Sequence, residues 1–169
     1  MHLIEPCCAP KQMLALRANL SDNGTTFWHA YGDFSLEEFL RALLAHYSEA
    51  DMVLAAPSIP DMAAESILFS MRRQHARMDG KGNLNVIRHL TIVADLRSQK
   101  SPLASSWVTA NPFGDRLTLR NVQQADTAIV MPDIAFIGPI NLTYGRHFTA
   151  VATKNAETIA SLRSLYSHL

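Results

Sequence analysis

The spacing of apolar and polar positions changes several times along the chain. Residues 1–33 show no clear period, hold Pro6, Pro10, Asn23 and Gly24, and read as loops with a short helix near 11–18. From Asp33 to Tyr47 the apolar residues Phe39, Leu40, Leu43, Leu44 and Tyr47 recur at helical spacing. Ser35 with Glu38 three residues on makes a capping box for that helix. "DMVLAAP" (51–57) is a short apolar run ended by proline, the mark of a buried strand. Residues 60–78 return to helical spacing: Pro60 suits the first turn, and Met62, Ile67, Met71 and Met78 fall near one face. After a "GKGN" turn at 80–83, "VIRHLTIVADL" (86–96) is a strand rich in branched residues and ends near Asp95.

The second half is dominated by short strands. Residues 98–114 fit either a loop or a short helix, and strands are predicted at 116–122, 126–131, 134–140 and 147–153. Pro132-Asp133 marks a tight turn between two of them. A closing helix follows, with Asn155 as its cap and His168 in its last turn. Helices alternating with apolar strands predict a layered α/β domain with helices flanking the sheet. The run of strands after residue 115 predicts a mixed sheet, partly antiparallel.

Composition narrows the picture little. A length of 169 residues with 48% apolar and 18% charged residues predicts a single domain, 1–169, whose first 26 residues read as irregular; the resemblance described below implies its folded part to be 27–169. Formal net charge is 0, so a nucleic-acid role requires a local basic patch. The only cysteines, Cys7 and Cys8, are adjacent, which fits neither an internal disulfide nor metal-ligand spacing. No metal or other cofactor is expected. The start carries no basic, apolar leader pattern and no run of about 18 apolar residues occurs, so the expectation is a cytoplasmic protein without a membrane span.

One stretch carries a family pattern. "QADTAIVMPDIAFIGPIN" (124–141) has the strand–turn–strand form and spacing of the H-x-K-x4-D-x6-G-S-x-N signature. The chain resembles the phospholipase D-like superfamily in its single-motif, nuclease-like form, over roughly residues 27–168. "FWHAYGDFSLEEFL", "ADMVLAAPSI", "HLTIVADLRS" and "AVATKNAETIASLRSLY" resemble further elements of that fold. The resemblance implies a phospholipase D-like fold. With Gly138 on the family glycine, Gln124 stands at the nucleophilic His and Asp126 at the Lys. Met131 stands at the Asp, Pro139 at the Ser and Asn141 at the Asn.

Those replacements remove the family's chemistry. An amide is neither nucleophile nor useful base, so Gln124 cannot form a phosphohistidine. Asp126 puts a carboxylate where the substrate phosphate requires a cation. Met131 cannot orient an imidazole, and Pro139 offers neither hydroxyl nor backbone N–H. The expectation is therefore a domain without catalytic residues, acting as a binding or interaction module. A phosphodiesterase or endonuclease with a rearranged site is the alternative, and it would use His29 or His147. Asp95 reads as a strand-end residue that caps a loop or faces a cleft. Ser105, Ser106 and Asp115 show no nucleophile-elbow pattern.

For binding, Arg72, Arg73, His75, Arg77, Lys81 and Arg88 form the main basic stretch, with Arg73 and Arg77 one helical turn apart. Arg72, Arg73 and Arg77 are the candidate contacts to DNA or RNA phosphates. Phe27, Trp28 and Tyr31 are aromatic and suit either stacking on a base or packing in a core. Single-motif members of the family complete their cleft by pairing, so the resemblance implies a homodimer with the 124–141 hairpins near the interface. Ile129, Met131, Ile134 and Phe136 make that hairpin apolar. A purely structural dimeric subunit for another protein is the third reading.

Overall fold

The computed structural model describes residues 20–31, 49–59, 61, 64, 65, 67, 86–97, 102–111, 113–123, 125–138 and 147–169. The predicted helices at 11–18 and 33–47 and the 80–83 turn lie outside these residues. The described strands are β1 (Thr25–Tyr31), β2 (Glu49–Ala55), β3 (Val86–Ala94), β4 (Leu117–Asn121), β5 (Ala128–Val130), β6 (Ala135–Ile137) and β7 (His147–Thr153). Two α-helices, α1 (Pro102–Thr109) and α2 (Ala156–His168), and a 3-10 turn at Gly114–Arg116 complete them. Asp61, Ala64, Glu65 and Ile67 are also helical, within the span predicted at 60–78.

All seven strands form one mixed sheet in the order β1-β7-β6-β5-β2-β3-β4. β2, β3 and β4 run parallel, while β1, β7, β6, β5 and β2 pair antiparallel in succession. The α/β class and the mixed sheet agree with the sequence, with one difference. Residues 25–31, expected in a loop, form β1. "TTFWHAY" is rich in branched and aromatic residues, but as an edge strand it lacks the clean alternation of a half-buried one. A tight turn feeds it: Gly24 N–H donates to Ser21 O at 2.8 Å, and Gly24 O accepts from Lys154 N at 2.8 Å. A Cβ on Gly24 would sit 2.7 Å from Ser21 O, so the turn requires glycine.

The sheet is apolar on both faces at its centre, as parallel strands must be when helices cover both sides. On the α1 face, Met52, Leu54, Leu90, Ile92, Ile129 and Phe136 pack beneath Ala64, Ile67, Ala104 and Trp107. Trp107 is 1% exposed and meets Phe113 edge-on at 5.9 Å. On the α2 face, Val53, Ala55, Val93, Ala128, Val130 and Ala135 pack beneath Ile159, Leu162 and Tyr166. Those three helix residues are spaced three and four apart, which brings them to one side of α2. Asn155 caps α2 as predicted, its Oδ1 accepting from Thr158 N at 2.8 Å. At the other end His168 Nδ1 lies 2.6 Å from Ser164 O.

Candidate functional site

The hairpin predicted from the motif is present. β5 and β6 pair through Val130↔Ala135, and Met131 N–H donates to Ile134 O at 2.9 Å to close the Pro132–Asp133 turn. No residue of this turn has positive φ. Type I′ and II′ turns are the usual choices for two-residue hairpins, but Pro132 at the first central position fixes φ near −65° and excludes both. Strands of three residues demand little of the turn's twist.

The hairpin's two ends differ. At the turn end, Met131 is fully buried in the α1-face core, at the position of the motif's Asp. At the open end, Gly138 N–H donates to Thr127 O at 3.1 Å, which brings Gly138 beside Asp126. Gly138 has φ +142°, a conformation glycine adopts at little cost. So the chain gathers motif positions 126 and 138 at one place and sends 131 to the far end of the same hairpin. Gln124, Pro139 and Asn141 lie outside the described residues.

That open end lies on the sheet edge where β2, β3 and β4 finish. β2 and β5 pair Ala55 with Ala128, and β5 and β6 pair Ala128 with Ile137. The chain reaches this edge from β4 by crossing back past β3 and β2, so it is a topological switch point, where open α/β sheets bind ligands. The crossing is anchored by Val122 N–H to Ala94 O (3.0 Å) and Leu96 N–H to Asn121 Oδ1 (2.9 Å). Asp95 caps its loop, Oδ1 accepting from Arg97 N at 3.2 Å. Asp126 is exposed. Burial, followed by the nearby Asp126 charge, holds the Tyr166 hydroxyl's pKa above its usual value. The edge thus presents an exposed carboxylate. No group of three metal-ligating side chains occurs among the described residues.

The fallback histidines belong to the paired strands β1 and β7. His29 is registered opposite Thr149, and His147 opposite Tyr31, at the β7 end that starts from the same edge. Phe27, also on β1, is 73% exposed, so it is not a core residue.

The basic stretch divides. Arg72, Arg73, His75, Arg77 and Lys81 lie outside the described residues, and Arg88 is on β3. There the β2–β3 register slips, so that Ala50 faces Ile87 and Asp51 faces His89, leaving Arg88 as the extra residue. The slip lets Arg88 reach Asp51 with two bonds, Nε to Oδ1 at 2.9 Å and Nη2 to Oδ2 at 2.5 Å. The Arg88 hydrogen bond, reinforced by its charge and opposed by burial, holds the Asp51 carboxyl below the usual range. Arg163 Nη2 donates to Asp51 O at 3.0 Å, and His89 Nε2 lies 3.1 Å from Thr118 Oγ1. Arg116 donates to Ile87 O at 2.5 Å and Arg88 O at 3.3 Å. Sequence reading missed Arg116 and Arg120 because it sought basic residues at helical spacing. In "RLTLR" the signal has period two, Leu117 and Leu119 turning inward between Arg116, Thr118 and Arg120.

The dimer contact expected from the hairpin is corrected. Ile129, Met131, Ile134 and Phe136 are each 0% exposed inside their own core, and Ala128, Val130 and Ala135 fill the opposite face. Neither face of β5–β6 is free to meet a second copy.

No family model and no curated protein matches the chain. Among solved structures it is similar to TrmBL2, an archaeal chromatin protein whose structure shows a novel mode of DNA binding. The TM-score is 0.51 at 13% identity, over 95% of this chain and 58% of that one. The likeness is one of fold, and this chain spans little more than half the length of that protein. No described helix is long and apolar enough to cross a membrane.

Proposed function

We propose that this chain is a non-catalytic, phospholipase D-like domain that binds nucleic acid through its phosphate backbone. The observation that carries the reading is the exposed carboxylate of Asp126 beside Gly138 at the sheet's switch point. A site built to transfer a phosphoryl group needs cations there, and an acid in that place opposes the substrate's charge. The fold likeness to a chromatin protein that binds DNA favours nucleic acid over other ligands, and the arginines of β3 and β4 supply charge of the right sign. Pairing of two chains is part of the proposal, through a surface other than β5–β6.

The test is labelled duplex DNA with purified protein in chelator, run on native and denaturing gels at two salt concentrations. The expected result is a salt-sensitive shift with the DNA intact. Cleavage would overturn the non-catalytic reading and turn attention to His29 and His147. Absence of a shift at low salt would overturn the nucleic-acid reading in favour of a protein partner.

A further inference from the structure

Among the described residues, the α2 face is covered at its centre. α2 packs against β2, β3 and β5, and the edge strand β4 lies beyond it. By strand alternation His89, Thr91 and Val93 of β3 share this face with Thr118 and Arg120 of β4. Val93 belongs to the core under α2, and the remaining four are polar and half-buried. Arg116 stands at the foot of β4, roughly 13 Å from Arg120 at about 3.3 Å per residue.

Arg120 is the unusual member. Its Nε is buried and has no hydrogen-bond partner, although the residue as a whole is half-exposed. Leaving a buried donor unpartnered forfeits the bonds it makes to water, and such a group in a folded protein calls for a reason. Charged residues on an edge strand discourage strand-to-strand association, but that purpose is served by a fully solvated arginine. A planar guanidinium beside a hydroxyl-lined strip, with Arg116 in the turn that leads into the strand, instead fits an oxyanion that engages it through two parallel bonds. Arg88, Arg116 and Arg163 also lie around this strip, Arg88 bonded to the Asp51 carboxylate and Arg116 and Arg163 to backbone carbonyls.

We propose that the β3–β4 strip is the surface that contacts nucleic-acid phosphates, with Arg120 as its anion-binding residue. This rests on the nucleic-acid reading above and moves the contact from the helical basic stretch, Arg72, Arg73 and Arg77, to the sheet edge.

The experiment is fluorescence anisotropy of a labelled DNA duplex across a salt series, with the wild-type chain and Arg120→Met, Arg120→Lys and the triple Arg72→Met, Arg73→Met, Arg77→Met. Arg120→Met is expected to weaken binding several-fold and to reduce the slope of log affinity against log salt by about 0.9, the loss of one phosphate contact. Arg120→Lys, which keeps the charge, is expected to restore the slope. Amide hydrogen exchange on the wild-type complex needs no variant and is expected to show protection over 116–121. A wild-type chain that binds while Arg120→Met leaves affinity and slope unchanged would overturn the strip. So would protection confined to 72–77 or weakening only in the triple variant, and in each case the nucleic-acid reading would stand. A wild-type chain that binds no duplex would overturn both.

Discussion

The two faces of the sheet are built from the same seven strands yet differ in how completely folding physics accounts for them. On the α1 face every described core position is apolar and buried, from Ala150 and Ala152 of β7 to Leu117 of β4. Burial at about 25 cal/mol per Å² suffices to explain that face. On the α2 face the described buried core lies beneath Ile159, Leu162 and Tyr166. Toward β4 it turns to His89, Thr118 and Arg120, with one donor unpartnered. Residues that stability alone does not call for collect on one side of one face. Binding of charged ligands is therefore sought there, while the degenerate hairpin is read as scaffold.

The largest expected effect comes from placing an acid at Met131. Met131→Asp buries a carboxyl without a partner in the α1 face, and it should cost at least about 3 kcal/mol at neutral pH, read by urea unfolding. Its folded pKa would be raised, so the loss should deepen as pH rises through the ordinary carboxylate range and ease in acid. Thr118→Asp on the α2 face is the matched change. It should cost under about 1 kcal/mol, because the site is half-exposed and His89 lies alongside, while weakening DNA binding. A severe loss of stability at Thr118 would erase the distinction between the faces.

Installing the histidine and lysine of the phospholipase D-like signature should create no chemistry. Gln124→His with Asp126→Lys is expected to give no hydrolysis of an activated phosphodiester, since Met131 and Pro139 still replace the residues that orient and assist. Turnover in that double variant would show that the site is two substitutions from activity. Asn155→Ala removes the cap of α2 and should cost about 1 kcal/mol without changing DNA affinity. The smallest effect is expected at Asp51. Its lowered pKa means that the Arg88 pair stabilises the fold above the ordinary carboxylate range and that this contribution fades as pH falls through the folded value. Asp51→Asn should flatten that acid limb by less than about 1 kcal/mol in a pH series of unfolding midpoints.

Much of this fold was readable from residue order. "MVLAA" in β2 is apolar at every position because both faces are covered, and "HFTAVAT" alternates because Ala150 and Ala152 turn inward. Pro132-Asp133 placed the hairpin turn, and Asn155 placed the start of α2. β1 was hidden because an edge strand needs only one partner and little alternation. The segment before β4 was ambiguous because Pro102 and four serines weaken a helical signal that Ala104 and Trp107 nonetheless carry. The parallel sense of β4 depends on a crossover that local pattern does not encode. The strip was invisible for a similar reason: Arg88 reaches Asp51 only through a slip in register, and Arg120 acquires its unpartnered donor only when β4 lies beside Val93.

The central claim is that a scaffold which has lost phosphoryl-transfer chemistry keeps an affinity for phosphate backbones. The most direct measurement is the binding of the unmodified chain to a DNA duplex in chelator, followed as salt is raised, with the DNA then recovered and sized. The account predicts binding that weakens linearly in log affinity against log salt, and full-length DNA at the end. Shortened DNA, or no binding at the lowest salt, would contradict it.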